Sequence, residues 1–230
     1  MNYNSFIEEA GALFENYCIL DKTDMQLDTG KGSFTAIAGE YFLNREFNEK
    51  IYQHIFYLVV IVDKTGQLSI PIVYLPKEQR PYKFEHLYKD NSCCLGLTHE
   101  LIGIWGEKQS AIDFFEKIID PFLINLLSCR NTGKCATEER PHGEDGLADY
   151  YKDLLGMTDI ECKNALFYLY QKVRRGELAK GHNPCPCGSG KKLRNCHGKQ
   201  INEFLNHLYV NRMFQKAFIQ DVAGYIEKRR

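Results

Sequence analysis

The residue types and spacings best suited to chemistry lie near the C-terminal end, in the segment CPCGSGKKLRNCH at residues 185–197. Cys185 and Cys187 form one pair, and Cys196 and His197 follow after eight residues. Three thiolates and one imidazole complete the closed tetrahedral shell of a structural zinc ion. So short a segment has no core of its own, and zinc supplies about 10–16 kcal/mol to comparable peptides. The pattern predicts one bound Zn²⁺ with a structural role.

The same segment offers two further interpretations. A phosphate-binding loop would need glycine in place of Cys185 and serine or threonine in place of Lys192, so it is rejected. Residues 172–199 hold eight Lys or Arg and one acidic residue, Glu177. This local charge fits either a solvated face or a surface for an acidic protein or RNA. The loop has no interleaved aromatic residues, which argues against sequence-specific nucleic-acid binding.

A second candidate site is the segment HLYKDNSCCL at residues 86–95. Cys94 is a candidate nucleophile if its sulfur is exposed, whereas a cysteine in a mixed apolar loop is more often buried and inert. Cys93 and Cys94 are adjacent, so one could belong to the core while the other faces solvent.

The sequence around the other cysteines outside the zinc segment gives no sign of chemical function. The three on or beside apolar stripes are expected to pack in the core: Cys18, Cys129 and Cys162. Cys135 lies in a polar linker and receives no role. No secretory segment is visible, which predicts the cytoplasm, where the nine cysteines would serve metal binding or thiol chemistry rather than disulfides.

The predicted elements give an α+β fold. Apolar spacing from Phe6 to Tyr17 predicts an N-terminal helix, followed by a polar stretch at residues 21–32. Strands are expected at residues 33–43, 52–62 and 68–75 as an antiparallel meander, with Pro71 at an edge. Residues 76–106 appear irregular, and Trp105 is expected to be a packing anchor.

Helices should follow, the first from Gln109 with its core face at Ile112, Phe115, Ile119, Phe122, Leu123 and Leu126. Asp120-Pro121 resembles an N-cap with proline at the first helical position, so either two abutting helices or one kinked helix is expected. Further helices are predicted at residues 147–155, from Asp159, and at the C-terminus, where Val210, Phe214 and Phe218 share a stripe.

Four regions follow from this order: residues 1–130, a linker and helical segment at 131–180, the zinc module at 181–199, and a helix at 200–230. The net charge of −1 and the 44% hydrophobic content are typical of a globular protein. The longest apolar run, at residues 55–62, is too short to span a membrane, so no membrane partner is expected.

The zinc segment resembles the SEC-C motif, the zinc-binding tail known from the SecA translocation ATPase and found on many bacterial proteins. The resemblance covers about residues 181–198 and fills all four ligand positions, Cys185, Cys187, Cys196 and His197. In SecA the module contacts partner proteins, so the resemblance implies a docking role.

Residues 1–128 resemble ubiquitin-conjugating enzymes and their RWD-type relatives, especially the divergent bacterial ones. In that family a His-Pro-Asn triplet precedes an active cysteine followed by leucine. His86 matches the histidine and Cys94-Leu95 the cysteine and its neighbour, while Leu87 and Tyr88 replace proline and asparagine. The resemblance implies that Asn91 or a backbone N–H replaces the missing asparagine, and that His86 orders the loop. His99 is a weaker candidate for proton transfer.

The resemblance implies a transferase that accepts a ubiquitin-like modifier as a thioester on Cys94 and passes it to a target. The expected partners are the modifier, an activating enzyme and the target; such systems often include a deconjugating peptidase and serve anti-phage defence. The alternative is a non-catalytic adaptor, in which the same fold offers a protein-binding surface and the zinc module docks a second partner.

Overall fold

The computed structural model describes residues 2–27, 30–65, 70–80, 86–137, 141 and 143–227. The chain divides into two compact units. The first comprises Met1–Gly96 and Gly103–Glu138, and the second comprises Leu97–Ile102 and Glu139–Arg230. No helix in the described ranges combines the length and the apolar content that a membrane crossing requires.

The first unit contains a four-stranded antiparallel sheet and helices, which confirms the predicted mixed α+β class at that level. The strands pair in chain order, with the bounds β1 Phe14–Leu27, β2 Gly30–Phe47, β3 Lys50–Asp63 and β4 Ile72–Tyr74. The helices are α1 Tyr3–Ala12, α2 Thr98–Trp105 (which the two units share), α3 Ala111–Phe114 and α4 Asp120–Thr132.

The first helix is shorter than predicted, and a strand replaces both its end and the expected polar stretch. The backbone leaves the helix at Leu13, and β1 pairs with β2 from Phe14 onward. A bulge between Glu15 and Cys18, with Asn16 at φ 47°, interrupts the alternation of side chains that would reveal a strand. A β-carbon at Gly39 would lie 2.6 Å from that of Tyr17, so glycine lets the bulged strand approach β2.

The predicted third strand is confirmed only at residues 72–74, and residues 66–69 and Pro81 lie outside the described residues. Pro71 immediately precedes β4, which is the edge strand, as its missing N–H requires. The segment expected to be irregular contains the helix α2. Asp221 of the second unit caps that helix, since its carboxylate accepts the backbone N–H groups of Thr98 and His99 at 2.8 and 2.9 Å.

One face of the sheet forms the core of the first unit. Inward residues alternate along β2 and β3, including Ile37, Leu43, Phe56, Leu58 and Val60, all fully buried. Helix residues Phe114, Ile119 and Leu123 are also buried. Trp105 is 1% exposed, packs edge-on against Phe6, and donates Nε1–H to the Ser110 carbonyl, which confirms it as a packing anchor.

A π-helical turn at Phe115–Ile119 joins α3 to α4, so the helical path is continuous. Asp120 is not an N-cap: its backbone is helical, and its carboxylate points to the sheet. There it accepts the Tyr41 hydroxyl at 2.5 Å and the Arg45 Nε–H at 2.6 Å. Ile112, which was predicted to face the core, is 48% exposed, because the buried face of α3 is formed by Ala111 and Phe114.

Besides its part of α2, the described portion of the second unit contains α5 Glu144–Leu155, α6 Asp159–Arg175, α7 Gly198–Val210 and α8 Arg212–Glu227. Gly156 ends α5 in the left-handed conformation, as expected. Thr158 rather than Asp159 caps α6, in a capping box with Glu161. The predicted single C-terminal helix breaks at Asn211, so Val210 is 90% exposed, although Phe218 is buried.

The cysteines outside the zinc segment depart from expectation at three positions. Cys129 and Cys135 form a disulfide across the end of α4, so neither is a free thiol and the expectation against disulfides is wrong here. The two lie six residues apart, where Gly133 turns the chain back on itself. Cys18 is exposed because it lies at the bulge of β1, whereas Cys162 is buried as predicted.

Asp120→Ala should destabilise the first unit by about 2 kcal/mol, because it removes a buried carboxylate that takes two hydrogen bonds, one of them charge-assisted. The change can be measured by urea unfolding followed through Trp105, the single tryptophan. Glu116→Gln is the matched control: its ion pair with Arg45 is about half exposed, so less than about 1 kcal/mol is expected. Equal effects in the two variants would contradict a special role for Asp120.

Candidate metal centre and cysteine loop

The metal-ligand segment folds as a tight hairpin between α6 and α7. Pro184 and Lys192 form an antiparallel bridge, and the Cys185 N–H donates to the Lys191 carbonyl at 2.8 Å. Gly188 and Gly190, with φ of 89° and 73°, allow the sharp reversal between them. A 3₁₀ turn at Leu193–Asn195 then brings Cys196 and His197 back toward the first two cysteines.

The four predicted ligands converge. Their ligand atoms all lie within 4.8 Å of one another. The Cys187 and Cys196 sulfurs are 3.7 Å apart, and His197 Nδ1 lies 3.5 Å from the Cys185 sulfur and 3.3 Å from that of Cys196. A tetrahedral site with zinc–sulfur bonds of about 2.3 Å has sulfur–sulfur edges of about 3.8 Å. The donor set and its spacing therefore fit a metal such as zinc, with His197 Nδ1 as the facing nitrogen.

A serine that the sequence did not single out lies beside two of these ligands. Ser189 Oγ lies 3.2 Å from the Cys187 sulfur and 3.4 Å from that of Cys196. Burial opposes ionisation of Cys187, yet hydrogen bonds from the side chain and backbone of Ser189 lower its pKa to about 6. Burial raises the pKa of Cys185 to about 11. Ionised thiolates are the metal-binding form, so Ser189 favours the liganded state at Cys187.

The hairpin is part of the core of the second unit. Cys185, Cys187 and Leu193 are buried with residues of all four helices, including Leu155, Leu166, Leu205 and Phe218. Asn164 of α6 donates to the Cys187 carbonyl at 3.4 Å. Gly198 begins α7 against the hairpin, since a β-carbon there would lie 2.6 Å from the Leu193 carbonyl oxygen.

The second candidate site is a short hairpin at residues 86–94 beside the edge strand β4. The Cys94 N–H donates to the His86 carbonyl at 2.9 Å, and Leu87 bridges Cys93. Asn91 turns the loop with φ 67°. Asp90 braces it by accepting the backbone N–H and the hydroxyl of Ser92, and these bonds lower the pKa of Asp90 although burial opposes the shift.

The two adjacent cysteines of this loop differ sharply in environment. The Cys93 N–H donates to the Val73 carbonyl of β4 at 2.7 Å, so this part of the loop extends the sheet. Alternation along an extended chain then places successive side chains on opposite sides. Cys93 is 5% exposed, and burial raises the pKa of its thiol to about 12. Cys94 is partly exposed.

Two of the other residues predicted for this site, His86 and Asn91, lie in the loop itself. The His86 carbonyl binds Cys94, while Asn91 Oδ1 accepts from Arg80 Nη1 at 3.4 Å. Arg80 also donates to the Leu75 carbonyl and so ties the loop to the end of β4; nothing in the sequence pattern pointed to it. His99 belongs to the second unit, which does not contain Cys94.

Comparison with known proteins assigns the metal-ligand segment. Residues 183–199 are a SEC-C motif. The chain is also 31% identical over 103 residues to the protein translocase subunit SecA of Francisella tularensis subsp. novicida, covering 40% of this chain and 11% of that protein. SecA of Legionella pneumophila strain Philadelphia 1 is 32% identical over 97 residues, covering 41% and 11%.

The chain therefore spans about a tenth of the length of these SecA relatives. No solved structure matches it. The comparisons establish the SEC-C motif, whose Cys₃His cluster the structure assembles.

Cys187→Ser should reduce the bound metal from one equivalent per chain to nearly none, because the three remaining ligands no longer close the shell. Metal content after gel filtration measures this. Ser189→Ala is the matched control within the same turn: it should keep one equivalent but lose about 10-fold in affinity against a competing chelator. Full metal content in Cys187→Ser would refute the ligand assignment.

Gly198→Ala should destabilise the second unit by about 2 kcal/mol, because the added methyl group collides with the Leu193 carbonyl. Thermal unfolding of the metal-loaded protein by circular dichroism measures the change. Gly224→Ala makes the same substitution in α8, where no atom lies within 4 Å of the added carbon, and should stabilise the helix by about 0.5–1 kcal/mol. A loss of stability at Gly224 as large as at Gly198 would exclude the collision as the cause.

Proposed function

We propose that the first unit is a ubiquitin-conjugating-enzyme-like domain that accepts a ubiquitin-like modifier as a thioester on Cys94 and transfers it to a target in a bacterial conjugation system. The observation that carries the proposal is the contrast between the two cysteines of the loop. Cys93 is sealed in the core with a raised pKa, whereas its neighbour Cys94 is partly exposed on a loop fixed to the sheet. A nucleophile needs this combination of access and fixed position.

The order of elements supports the same proposal. A helix, a four-stranded antiparallel meander, a cysteine loop and further helices follow one another in the first unit. This is the order that the resemblance to ubiquitin-conjugating enzymes implies. Hydrogen bonds hold the loop at two points. The Cys93 N–H donates to β4, and Arg80 donates both to the Leu75 carbonyl and to Asn91 Oδ1.

The chemistry would proceed in two exchanges. The Cys94 thiolate attacks the thioester carbonyl of a charged activating enzyme; a new carbon–sulfur bond forms, and the enzyme's thiolate leaves. An amine of the target then attacks the new thioester, its proton passes to solvent, and the Cys94 thiolate leaves. A well-placed donor to the developing oxyanion is worth about 2.7–4 kcal/mol.

The hydrogen bonds of the loop suggest roles for its other residues. The His86 carbonyl holds the Cys94 backbone N–H, which suits a loop-ordering role for His86. Asn91 presents Oδ1 to Arg80, so its amide NH₂ is the end available as an oxyanion donor. The turn between His86 and Cys94 is braced by the Asp90 carboxylate, which accepts the Ser92 N–H.

We further propose that the ion held by the SEC-C motif is a single structural zinc and that the protein works in the cytoplasm. Three thiolates and one imidazole leave no open position, so the ion would stabilise the fold rather than activate water. In the conjugation scheme the SEC-C hairpin would dock a partner protein, with exposed Lys180, Lys191 and Lys192 facing an acidic surface.

The second candidate function is a non-catalytic adaptor, and the likeness to SecA over 40% of the chain favours it. In this scheme the sheet unit binds one protein, the SEC-C hairpin binds another, and Cys94 is inert. Native thiol labelling separates the two proposals: modification of Cys94 but not Cys93, mapped by mass spectrometry, favours the enzyme. Labelling of Cys94 only after denaturation favours the adaptor.

The decisive test is a charging assay with the cognate activating enzyme, its modifier and ATP on a non-reducing gel. We expect an adduct that a reductant removes, that is absent in Cys94→Ala and that persists in Cys93→Ala. Arg80→Gln, which loosens the loop without touching the sulfur, should slow charging about 10-fold. No adduct under conditions where the activating enzyme is itself charged would reject the transferase proposal.

A further inference from the structure

An exposed lysine lies on the same short hairpin as the candidate nucleophile. In the segment at residues 86–94 the Cys94 N–H donates to the His86 carbonyl at 2.9 Å, so these two residues face each other across the hairpin. The turn that joins the two arms carries Lys89, whose side chain is exposed. One backbone element of the first unit therefore presents both an amine and a thiol to solvent.

Hydrogen bonds fix the backbone around Lys89. The Tyr88 N–H donates to the Ser92 carbonyl at 2.9 Å, and the Asn91 N–H donates to the Tyr88 carbonyl at 3.0 Å. These bonds hold the turn at a set position relative to Cys94. Two reactive groups fixed on one element react far faster than the same groups free in solution, because the entropy of bringing them together is already spent.

The carboxylate next to Lys89 along the chain is occupied by other donors. Asp90 Oδ1 accepts the Ser92 N–H at 2.9 Å and the Ser92 hydroxyl at 2.6 Å, and Oδ2 accepts the Tyr74 hydroxyl at 3.2 Å. Within the described part of the chain no carboxylate forms an ion pair with Lys89. The Lys89 amine is therefore not held away from Cys94 by a neighbouring charge.

The separation of the two residues suits transfer within one chain. Lys89 lies three residues beyond His86, the residue opposite Cys94, and at about 3.3 Å per residue the two α-carbons are about 10 Å apart. The flexible four-carbon stem of lysine carries its nitrogen about 6 Å from the α-carbon. The remaining distance of about 4 Å is spanned by the cysteine side chain and the carbonyl carbon of an acyl group bound to its sulfur.

We propose that Lys89 is a self-modification site, which takes the acyl group from a Cys94 thioester of the same chain when no target is bound. The proposal rests on the thioester of the proposed function. The neutral Lys89 amine attacks the thioester carbonyl; a carbon–nitrogen bond forms, the carbon–sulfur bond breaks, the Cys94 thiolate leaves and the amine proton passes to solvent. The product is an amide that a reductant does not remove.

The test supplies the acyl group chemically, so that it does not depend on an activating enzyme. The metal-loaded full chain carries Cys18→Ser, which removes the exposed thiol of β1, and is treated with the acetyl-glycylglycine thioester of mercaptoethanesulfonate. We expect a hydroxylamine-labile adduct on Cys94, followed by its conversion to a hydroxylamine-stable amide on Lys89. Tandem mass spectrometry locates both products, and the conversion rate should not depend on protein concentration.

Three variants separate transfer from direct acylation of the lysine. Lys89→Arg should keep the Cys94 thioester and lose the amide, whereas Lys108→Arg, at another exposed lysine of the first unit, should leave the amide unchanged. Cys94→Ala should lower the yield of the Lys89 amide by at least about 10-fold. An equal yield in Cys94→Ala, or a rate proportional to protein concentration, would overturn the proposal.

The outcomes distinguish failure of this proposal from failure of the proposed function. A thioester that forms on Cys94 and never passes to Lys89 would reject self-modification and leave the transferase proposal intact. Transfer of the chemical acyl group to Lys89, without any loading of Cys94 by a charged activating enzyme, would support the Lys89 site and reject the modifier. The absence of any Cys94 adduct with the small thioester would overturn both.

Discussion

The second unit is organised around the convergence of three sulfurs and one imidazole nitrogen. Residues 183–197 contain a single large aliphatic side chain, that of Leu193, yet Cys185, Cys187 and Leu193 are buried among the helices. Unpaired thiolates in that environment would carry a large desolvation cost. A cation held by these four groups would offset that cost, and α7 begins directly after the hairpin at Gly198.

In the first unit the edge strand β4 fixes the position of the cysteine loop. Three residues of β4 pair with β3, and the cysteine loop then adds its own backbone bonds to the outer side of that strand. Alternation along this extended segment places the Cys93 side chain in the core and leaves the adjacent Cys94 partly exposed.

How far the sequence could predict the structure depended on the range of the interactions. The SEC-C motif, the end of α5 at Gly156 and the core face of α6 are set by local spacing and were predicted correctly. The strand β1 was missed because its bulge and the positive φ of Asn16 break the local pattern.

Longer-range contacts decided the remaining features. The helix α2 has only eight residues, and its cap comes from Asp221, more than 120 residues away. A cavity in the second unit is lined by His99 of α2, Leu154 of α5 and four residues of α7, and no spacing rule in the sequence connects these three helices. The Cys129–Cys135 disulfide was missed because the cysteines were expected to serve metal binding or thiol chemistry, although the two residues lie six apart around a glycine turn.

The π turn between α3 and α4 bears on how a change in chain length would be accommodated. Each residue of an α-helix advances the side chains by about 100°. A π turn holds about one residue more than an α-helical turn, so it absorbs an extra residue while the helix on either side keeps its phase. Deleting one residue within 115–119 should therefore restore a regular helix and leave Asp120 facing Tyr41 and Arg45, whereas a deletion inside α4 would rotate the residues beyond it by about 100°. Along this helical path, the π turn is the place where chain length can change by one residue.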